Sequence, residues 1–190
     1  MPIQTRRERE RAERERLIIA AARELVEAEG WEAVTTRRLA ERVEYSQPVL
    51  YSHFKGKDAI MAAVTVEGFA DLAVELRAAR TSATDPRRAL ADVGAAYAAF
   101  AEQRPALYDA MFTHAVDLPF AGPEAPAALH AALDELREAI RPLAGEDDLG
   151  LLTETLWGGL HGLMTLMRGG RLRHEGHERR LALLLGRFSH

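Results

Sequence analysis

Polar side chains recur at helical spacing between residues 47 and 53, where the chain reads QPVLYSH. If a helix begins near Gln47, Leu50 and Phe54 lie four residues apart on its inward face, and the glutamine, serine and histidine lie outside. A carboxamide can pair with adenine through two hydrogen bonds, a serine hydroxyl can reach a base edge, and an apolar side chain such as Val49 can contact the methyl group of thymine. These residue types therefore offer hydrogen bonding to nucleic-acid bases.

The residues before Gln47 predict a second short helix that would hold this one in place. Thr35 or Thr36 can cap that helix with a side-chain oxygen, and its inward face consists of Leu39, Ala40 and Val43. A three-residue turn ends it, and the serine and proline that follow suit the cap and the first turn of the next helix. Two short helices joined in this way over residues 35–54 place a helix in the major groove of DNA.

At these residues the chain resembles the TetR family of bacterial transcriptional repressors, with a match over about residues 12–72. The family pattern of a threonine, a basic or polar pair and Leu-Ala appears as TTRRLA from residue 35, and Leu-Tyr-x-His-Phe with a following lysine appears as LYSHF from residue 50 and Lys57. Many members have glycine in the turn where this chain has Glu44. A left-handed backbone there would cost a glutamate about 1 kcal/mol, so we expect a somewhat reshaped turn.

The resemblance implies a set of DNA contacts in and beside the second helix. Gln47 is expected to read a base directly, Val49 to meet a thymine methyl group, and Ser52 to reach a base edge or a phosphate. The other members of the set chiefly fix the DNA backbone or shape the start of the helix, and they are Thr36, Arg37, Ser46, Pro48, Tyr51, His53 and Lys57. The alternative for Tyr51 and His53 is packing at the domain surface, and for Lys57 it is a solvated charge.

Charge is divided along the chain. The 190 residues carry a net charge of −4, but residues 1–57 hold twelve Lys and Arg against ten Asp and Glu, and the remainder holds thirteen against nineteen. Both lysines of the chain, Lys55 and Lys57, directly follow the second short helix. A local basic surface matters more for phosphate binding than the total charge, so the acidic total does not exclude DNA as a partner.

Composition and periodicity predict an all-α fold of about nine helices. Ala and Leu are abundant, whereas β-branched and aromatic residues are sparse. We expect an N-terminal three-helix helix-turn-helix DNA-binding domain at residues 12–72 and a larger C-terminal helical domain for ligand binding and dimerisation at residues 81–190. The first helix is predicted at residues 9–29, with Gly30 ending it. Further predicted helices are 57–80, 86–103, 105–116, 126–141, 149–168 and 175–188, with loops at 117–126 and 142–148. The absence of Cys and of any long apolar run favours a cytoplasmic protein without a membrane span.

Aromatic and methionine side chains recur at helical spacing in the C-terminal half. Such stripes are usually core, but the resemblance implies a ligand cavity among helices five to eight. The candidate wall residues are Tyr97, Phe100, Tyr108, Met111, Phe112, Trp157, His161 and Met164. Trp157 and His161 share a helix face, so they either line this pocket or form a packed indole beside a histidine that is satisfied in the core. The Ala-rich helices weakly favour a hydrophobic or aromatic small-molecule effector.

Three glycines fall within five positions of helix eight, at residues 158, 159 and 162. Each costs about 0.8–1 kcal/mol relative to Ala, so we expect another helix to approach closely there. The pattern W-G-x-x-H-G from Trp157 resembles the C-terminal domain of one subgroup of the family, and in the family the last two helices of each subunit form a four-helix dimer bundle. The interface residues that this implies are Gly158, Gly162, Leu181, Leu184, Leu185 and Phe188, with Leu183 beside them.

These expectations combine into one mechanism. A homodimer would place two recognition helices about 34–36 Å apart on a partly palindromic double-stranded DNA operator. A small-molecule ligand would shift the fourth helix and release the DNA, so that the protein acts as a repressor. The charged segment before Leu17 is either a solvated helix start or a basic arm that touches the DNA backbone.

Other classes of function have less support. The protein could act as an activator, or as a ligand-binding helical dimer whose DNA domain is vestigial. A helical enzyme would have to use His161 with Glu154, and no further residue completes such a site. His174 and His177, with Glu175 and Glu178 beside them, have the spacing of a metal cluster, but polar loop ends are more common, so we expect no metal and no cofactor.

Overall fold

The computed structural model describes residues 2–113, 118–119 and 122–188, with side chains from residue 6 onward. In these ranges the chain forms nine α-helices, two short 3-10 turns and no strand, which confirms the all-α prediction. The helices are α1 (Pro2–Glu29), α2 (Thr36–Arg42), α3 (Gln47–His53), α4 (Lys57–Ser82), α5 (Pro86–Gln103), α6 (Pro105–Phe112), α7 (Ala127–Ile140), α8 (Leu149–Arg168) and α9 (His177–Gly186). None of the helices in the described ranges is long and apolar enough to cross a membrane.

Side-chain caps explain why α5 and α8 begin at the predicted residues. The Asp85 carboxylate accepts a hydrogen bond from the backbone N–H of Arg88 at 3.0 Å. The Asp148 carboxylate accepts one from the N–H of Leu151 at 2.9 Å. Each bond satisfies a backbone donor that the first helical turn leaves unpaired, so the position of the aspartate fixes the start of the helix.

Several helix bounds differ from the prediction. α1 begins at Pro2 and not near Arg9, and i,i+4 ion pairs such as Arg6–Glu10 support the added turns. α9 is shorter than predicted, because Gly176 takes a left-handed conformation just before it and the helix ends at Gly186. α6 is helical to Phe112, and the predicted helix end at residue 116 and loop start at residue 117 lie outside the described residues.

The chain divides into two compact units, residues 1–68 with 104–125, and residues 69–103 with 126–190. The predicted domains assign α6 to the C-terminal domain, whereas the structure includes α6 in the first unit. The Thr65 hydroxyl donates to the carbonyl of Ala110 at 3.3 Å, and Met111 packs so closely on Gly68 that a Cβ there would lie 2.7 Å from its sulfur. Helix α6 therefore packs within the first unit although it is distant in sequence.

The core of the first unit is built on one stripe of α1. Its buried side chains are Ile18, Ala21, Ala22, Leu25 and Val26. Leu17, directly before this stripe, is 55% exposed and does not belong to it. The stripe follows the i, i+3, i+4, i+7 and i+8 positions counted from Ile18, which places residue 17 on the neighbouring face.

Among the described residues of the second unit, one carboxylate is buried. Glu135 of α7 is 4% exposed, and its two oxygens accept hydrogen bonds from Arg77 and Arg80 of α4, each at 2.8 Å. Because a buried charge needs partners, these two arginines fix the C-terminal part of α4 against α7. The prediction did not include this contact.

Candidate nucleic-acid interface

Backbone geometry sets the relative position of α2 and α3. The Thr35 hydroxyl accepts from the N–H of Arg38 at 3.2 Å, so Thr35, and not Thr36, is the N-cap of α2. Ser46 is the N-cap of α3 as predicted, but only its carbonyl contributes, accepting from Val49 and Leu50 at 3.0 and 3.2 Å. Both helices therefore start where the sequence predicts, and the serine side chain makes no capping bond.

The turn between the helices takes the left-handed conformation. Glu44 has a φ of 56°, and among the described residues it is the only one other than glycine with a positive φ. The backbone N–H of Tyr45 then donates to the carbonyl of Ala40 at 2.9 Å and closes the end of α2. The expected reshaping of the turn is wrong, because the glutamate adopts the conformation that glycine would adopt.

The outward face of α3 presents the predicted reading residues. Gln47, Pro48 and Ser52 are exposed, and Val49 is half-buried. The Ser52 hydroxyl donates to the carbonyl of Val49 at 2.7 Å, which leaves its oxygen lone pairs for an outside donor. Leu50 is buried beneath, as predicted.

Tyr51 and Thr36 lie side by side between the two helices. Tyr51 is 53% exposed, and its hydroxyl lies 3.4 Å from the hydroxyl of Thr36. Arg37, next along α2, is also exposed and pairs with Glu41 at 3.0 Å. The structure therefore brings three of the predicted backbone-contacting residues to accessible positions.

His53 does not lie on the outward face, which corrects the prediction. Its side chain is only 6% exposed, and its Nδ1 lies 3.4 Å from the carboxylate of Glu15 in α1. Because α3 ends at His53, the imidazole packs the end of the helix against α1. His53 therefore takes the packing role that the sequence left as its alternative.

Lys57 is tied to the first unit and not simply solvated. Its ammonium donates to the carbonyl of Trp31 at 3.2 Å and lies 5.7 Å from the centre of the Trp31 ring. The contact joins the first turn of α4 to the 3-10 turn after α1. A lysine ammonium has three donors, so one bond to a carbonyl leaves two for a phosphate.

Two arginines of α2 have structural partners that the sequence did not indicate. Arg38 pairs with Glu29 at 2.6 Å, and Arg42 pairs with Glu24 at 2.7 Å, so both join α2 to α1. The hydrogen bond from Arg38 lowers the pKa of Glu29 below its ordinary value. Arg38 and Arg42 remain 41% and 47% exposed while they make these pairs, and Arg37 pairs instead with Glu41 of its own helix.

The predicted pocket residues are distributed over both units. Tyr108, Met111 and Phe112 belong to the first unit, and the Tyr108 and Phe112 rings lie 4.7 Å apart. The others belong to the second unit, where Tyr97, Phe100 and Met164 are buried.

Trp157 and His161 form a half-buried pair on α8. Their ring centres are 6.5 Å apart, and the His161 Nε2 lies 3.3 Å from the hydroxyl of Thr165. Burial lowers the pKa of His161. The shared face predicted from their i,i+4 spacing is confirmed, and their role in ligand binding stays a prediction.

The predicted dimer residues separate into two groups. An added Cβ at Gly158 or Gly162 would meet nothing within 4 Å, so that side of α8 is open. Leu181 and Leu185 are instead buried within the chain, where Leu185 packs on Gly94.

Leu184 also packs on a residue of its own chain. It lies over Gly159, where a Cβ would be 2.8 Å from its Cδ1, whereas Leu183 is 60% exposed and Phe188 is half-buried. The expectation that Leu181 and Leu185 lie at an interface is therefore corrected, because both are buried within the chain, whereas Leu184 packs on Gly159 but is half-buried.

A groove of about 460 Å³ lies in the second unit between α5 and the start of α9. The Glu102 carboxylate is 3.9 Å from His174 and 4.0 Å from His177. Across the described part of the chain, no three His, Cys, Asp or Glu side chains are placed to hold a metal ion.

Two family models match the chain. The model described as "Bacterial regulatory proteins, tetR family" matches residues 18–64, and "Tetracyclin repressor-like, C-terminal domain" matches residues 90–187, just over half of the chain. The first match includes α2 and α3, and the second includes α8 and α9.

Characterised repressors are similar over the helix-turn-helix region. The tetracycline repressor protein class C of Escherichia coli is 51% identical over 47 residues, which are 25% of this chain and 22% of that repressor. The class G repressor of Vibrio anguillarum is 47% identical over 47 residues. The chain thus matches less than a quarter of the length of these relatives.

Solved structures share the fold over most of the chain. The TetR family transcriptional regulator PfmR from Thermus thermophilus is 22% identical, with a TM-score of 0.62 over 90% of this chain and 94% of that one. A protein of unknown function from Rhodococcus sp. RHA1, also 22% identical, has a TM-score of 0.75 over 92% of each chain. At these identities the likeness supports the fold alone.

Proposed function

The chain belongs to the TetR family of bacterial regulatory proteins, and we propose that it is a homodimeric repressor that a small-molecule ligand releases from a partly palindromic operator. As a member of this family it is a regulator and not an enzyme. The observation that carries the proposal is the helix-turn-helix of α2 and α3, whose outward face holds polar side chains while Leu39 and Leu50 are buried. A helix exposed in this way fits the major groove.

Sequence recognition is assigned to the first part of α3. The Gln47 carboxamide is exposed at the first position of the helix, and bidentate pairing with adenine is the contact that suits it. Val49 would meet a thymine methyl group, and the Ser52 oxygen would accept from a base edge or face the backbone. The exposed N-terminal end of α3 is the part that enters the groove in other helix-turn-helix proteins.

Backbone positioning is assigned to residues around this helix. Thr36, Arg37 and Tyr51 are partly or fully exposed on one side of it. The Lys57 ammonium would bind a phosphate while it holds the Trp31 carbonyl. His53 acts indirectly, by holding the end of α3 against α1.

Dimerisation is assigned to α8 and α9. The open side of α8 at Gly158 and Gly162 permits close approach of a second helix, and the exposed Leu151, Leu166 and Leu183 supply apolar surface. An isologous contact of this kind would repeat the same surface on both subunits. It would set the two α3 helices about 34–36 Å apart, one turn of DNA.

The effector is proposed to be hydrophobic or aromatic and to bind in the second unit, among α5, α7 and α8. The aromatic and methionine side chains on these helices support this class of ligand. Because Tyr97 and Phe100 are at most 1% exposed, a ligand would have to displace packed side chains. Its binding energy would then favour one arrangement of α4 over another, which is what release of DNA requires.

Selection of bound sequences from random double-stranded DNA tests the proposal. We expect enriched sequences with two half-sites related by a dyad, and affinity for them that falls steeply with salt. The most enriched DNA sequence is then used to screen apolar and aromatic compounds for those that release the protein from it. No enrichment of any sequence, or binding by a monomer to a single half-site, would overturn the proposal.

A further inference from the structure

The N-terminal half of α1 extends beyond the core of the first unit. None of the described side chains before Ile18 is buried, although the helix continues without a break from Pro2 to Glu29. We call residues 2–17 the arm. At 1.5 Å per residue the arm spans about 24 Å, and packing in the core does not account for it.

The basic residues of the arm have a defined direction. Arg7 and Arg14 are seven residues apart and lie on one side of the helix. Leu25 follows Arg7 by eighteen residues, which is five full turns, so all three share that side. Leu25 is buried in the first unit, whereas both arginines are exposed. The side of α1 that is apolar and covered from Ile18 onward is therefore basic and uncovered in the arm.

Other arginines of the arm are engaged by its glutamates. Arg6 pairs with Glu10 and Arg11 pairs with Glu15, each at 2.8 Å. Residues 6–16 contain six arginines and four glutamates, so positive charge is in excess. These pairs stabilise the helix, and Arg7 and Arg14 are members of neither, although their charges also act on the Glu10 carboxylate.

The C-terminal end of the arm lies beside the end of α3. Glu15 lies 3.4 Å from His53, which is the last residue of α3. The arm therefore extends α1 beyond the helix-turn-helix. Its basic side is a continuation of the side of α1 that is buried in the first unit from Ile18 onward. Double-stranded DNA carries one charge per about 1.7 Å, so an adjoining basic helix fits its backbone.

We propose that Arg7 and Arg14 of the arm bind backbone phosphates of the DNA that flanks each half-site. The contact rests on the proposed DNA binding and adds to it a phosphate-binding surface outside the helix-turn-helix. A guanidinium can engage phosphate oxygens through two hydrogen bonds, and the two arginines are about 10 Å apart along the helix. The arm would raise affinity for every sequence and extend the protected length of DNA.

Paired double variants test the proposal on the selected operator. Arg7→Ala/Arg14→Ala removes the proposed contacts, and Arg9→Ala/Arg16→Ala removes the same charge at the same spacing from the opposite side of the helix. Affinity is measured at several salt concentrations, with helix content checked by circular dichroism. Arg7→Ala/Arg14→Ala removes two proposed phosphate contacts per subunit, or four per dimer. At about 0.9 per contact, the slope of log affinity against log salt should fall by up to about 3.6.

Hydroxyl-radical footprinting gives the second measurement. The unmodified protein and Arg9→Ala/Arg16→Ala should protect backbone beyond each half-site, and Arg7→Ala/Arg14→Ala should lose that protection alone. Equal losses in both variants, or an unchanged slope in the first, would overturn the arm contact while the operator itself is still bound. Failure of the unmodified protein to select any DNA would instead refute the proposed function.

Discussion

At the scale of single residues, Gln47 carries most of the proposed specificity. It is exposed at the start of α3, and its carboxamide can donate and accept toward one adenine. Gln47→Ala should lower the preference for one base pair by about 1–3 kcal/mol and leave the salt dependence of binding unchanged. Competition between the selected operator and single-base variants measures this.

A matched control lies far from the interface in sequence. Gln103→Ala removes another exposed carboxamide, at the end of α5, and should alter neither preference nor affinity. Lys57→Ala should weaken binding to all sequences and reduce the salt slope. If Gln47→Ala behaves like Lys57→Ala, the division between base reading and backbone contact is refuted.

Glu44 holds local strain in the turn between α2 and α3. A left-handed backbone costs an L-residue about 1–2 kcal/mol, and glycine would avoid this cost. Glycine also makes the unfolded chain more flexible, which lowers the free energy of unfolding by about 0.4–1 kcal/mol. Glu44→Gly should therefore raise the free energy of unfolding by about 0.5–1 kcal/mol, as measured by urea denaturation. Glu44→Ala keeps the Cβ and should not give this gain, and a loss of stability in Glu44→Gly would contradict the assignment of strain.

At the scale of elements, the contact of α4 with α7 depends on one carboxylate. Glu135 is buried and accepts from Arg77 and Arg80, whose side chains are 71% and 26% exposed. Because both arginines can regain water, Glu135→Ala should destabilise the protein by about 1–3 kcal/mol, below the loss expected when a fully buried pair is broken.

Glu138 provides the control for this prediction, since it lies on the same helix and pairs with Arg141 at the surface. Glu138→Ala should cost at most about 1 kcal/mol. Both variants are compared by urea denaturation, and hydrogen exchange at the C-terminal end of α4 should increase only in Glu135→Ala. Equal effects of the two variants would show that burial gives Glu135 no special role.

Helix existence and most helix ends follow from the sequence because local signals encode them. Asp85 and Asp148 cap the helices that follow them, and Gly30 has the positive φ expected after α1. Contacts distant in sequence have no such signal. Nothing near Glu24 or Glu29 indicates that α2 arginines pair with them.

Some of the missed features did leave a trace in the pattern. Glu135 stands on the apolar stripe of α7 beside Ala132, Leu136 and Ala139, where a carboxylate is unexpected unless it is paired. His53 shows the reverse case, because its polar type predicts exposure, and only the approach of α1 makes it buried. The outward residues Gln47 and Ser52 needed no distant contact, and their exposure was predicted correctly.

At the scale of the whole molecule, the proposed dimer explains why Gly158 and Gly162 are glycines, and this explanation can be tested. In a single subunit an added Cβ at either position meets nothing, and alanine would favour the helix by about 0.8–1 kcal/mol each. In a dimer whose helices approach closely on this side, the same methyl groups would hold the subunits apart. Substitution should therefore stabilise the subunit and weaken the assembly.

Gly159, one residue along the helix, separates these two effects. Its added Cβ would lie 2.8 Å from Leu184 of the same chain, so Gly159→Ala should disturb packing within the subunit and leave dimerisation unchanged. Gly158→Ala/Gly162→Ala should raise the dimer dissociation constant at least about tenfold in sedimentation experiments, which corresponds to about 1.4 kcal/mol. Operator affinity should fall with it, because a monomer occupies only one half-site. A dimer that tolerates both alanines would place the subunit contact elsewhere and remove the reason for an open glycine face on α8.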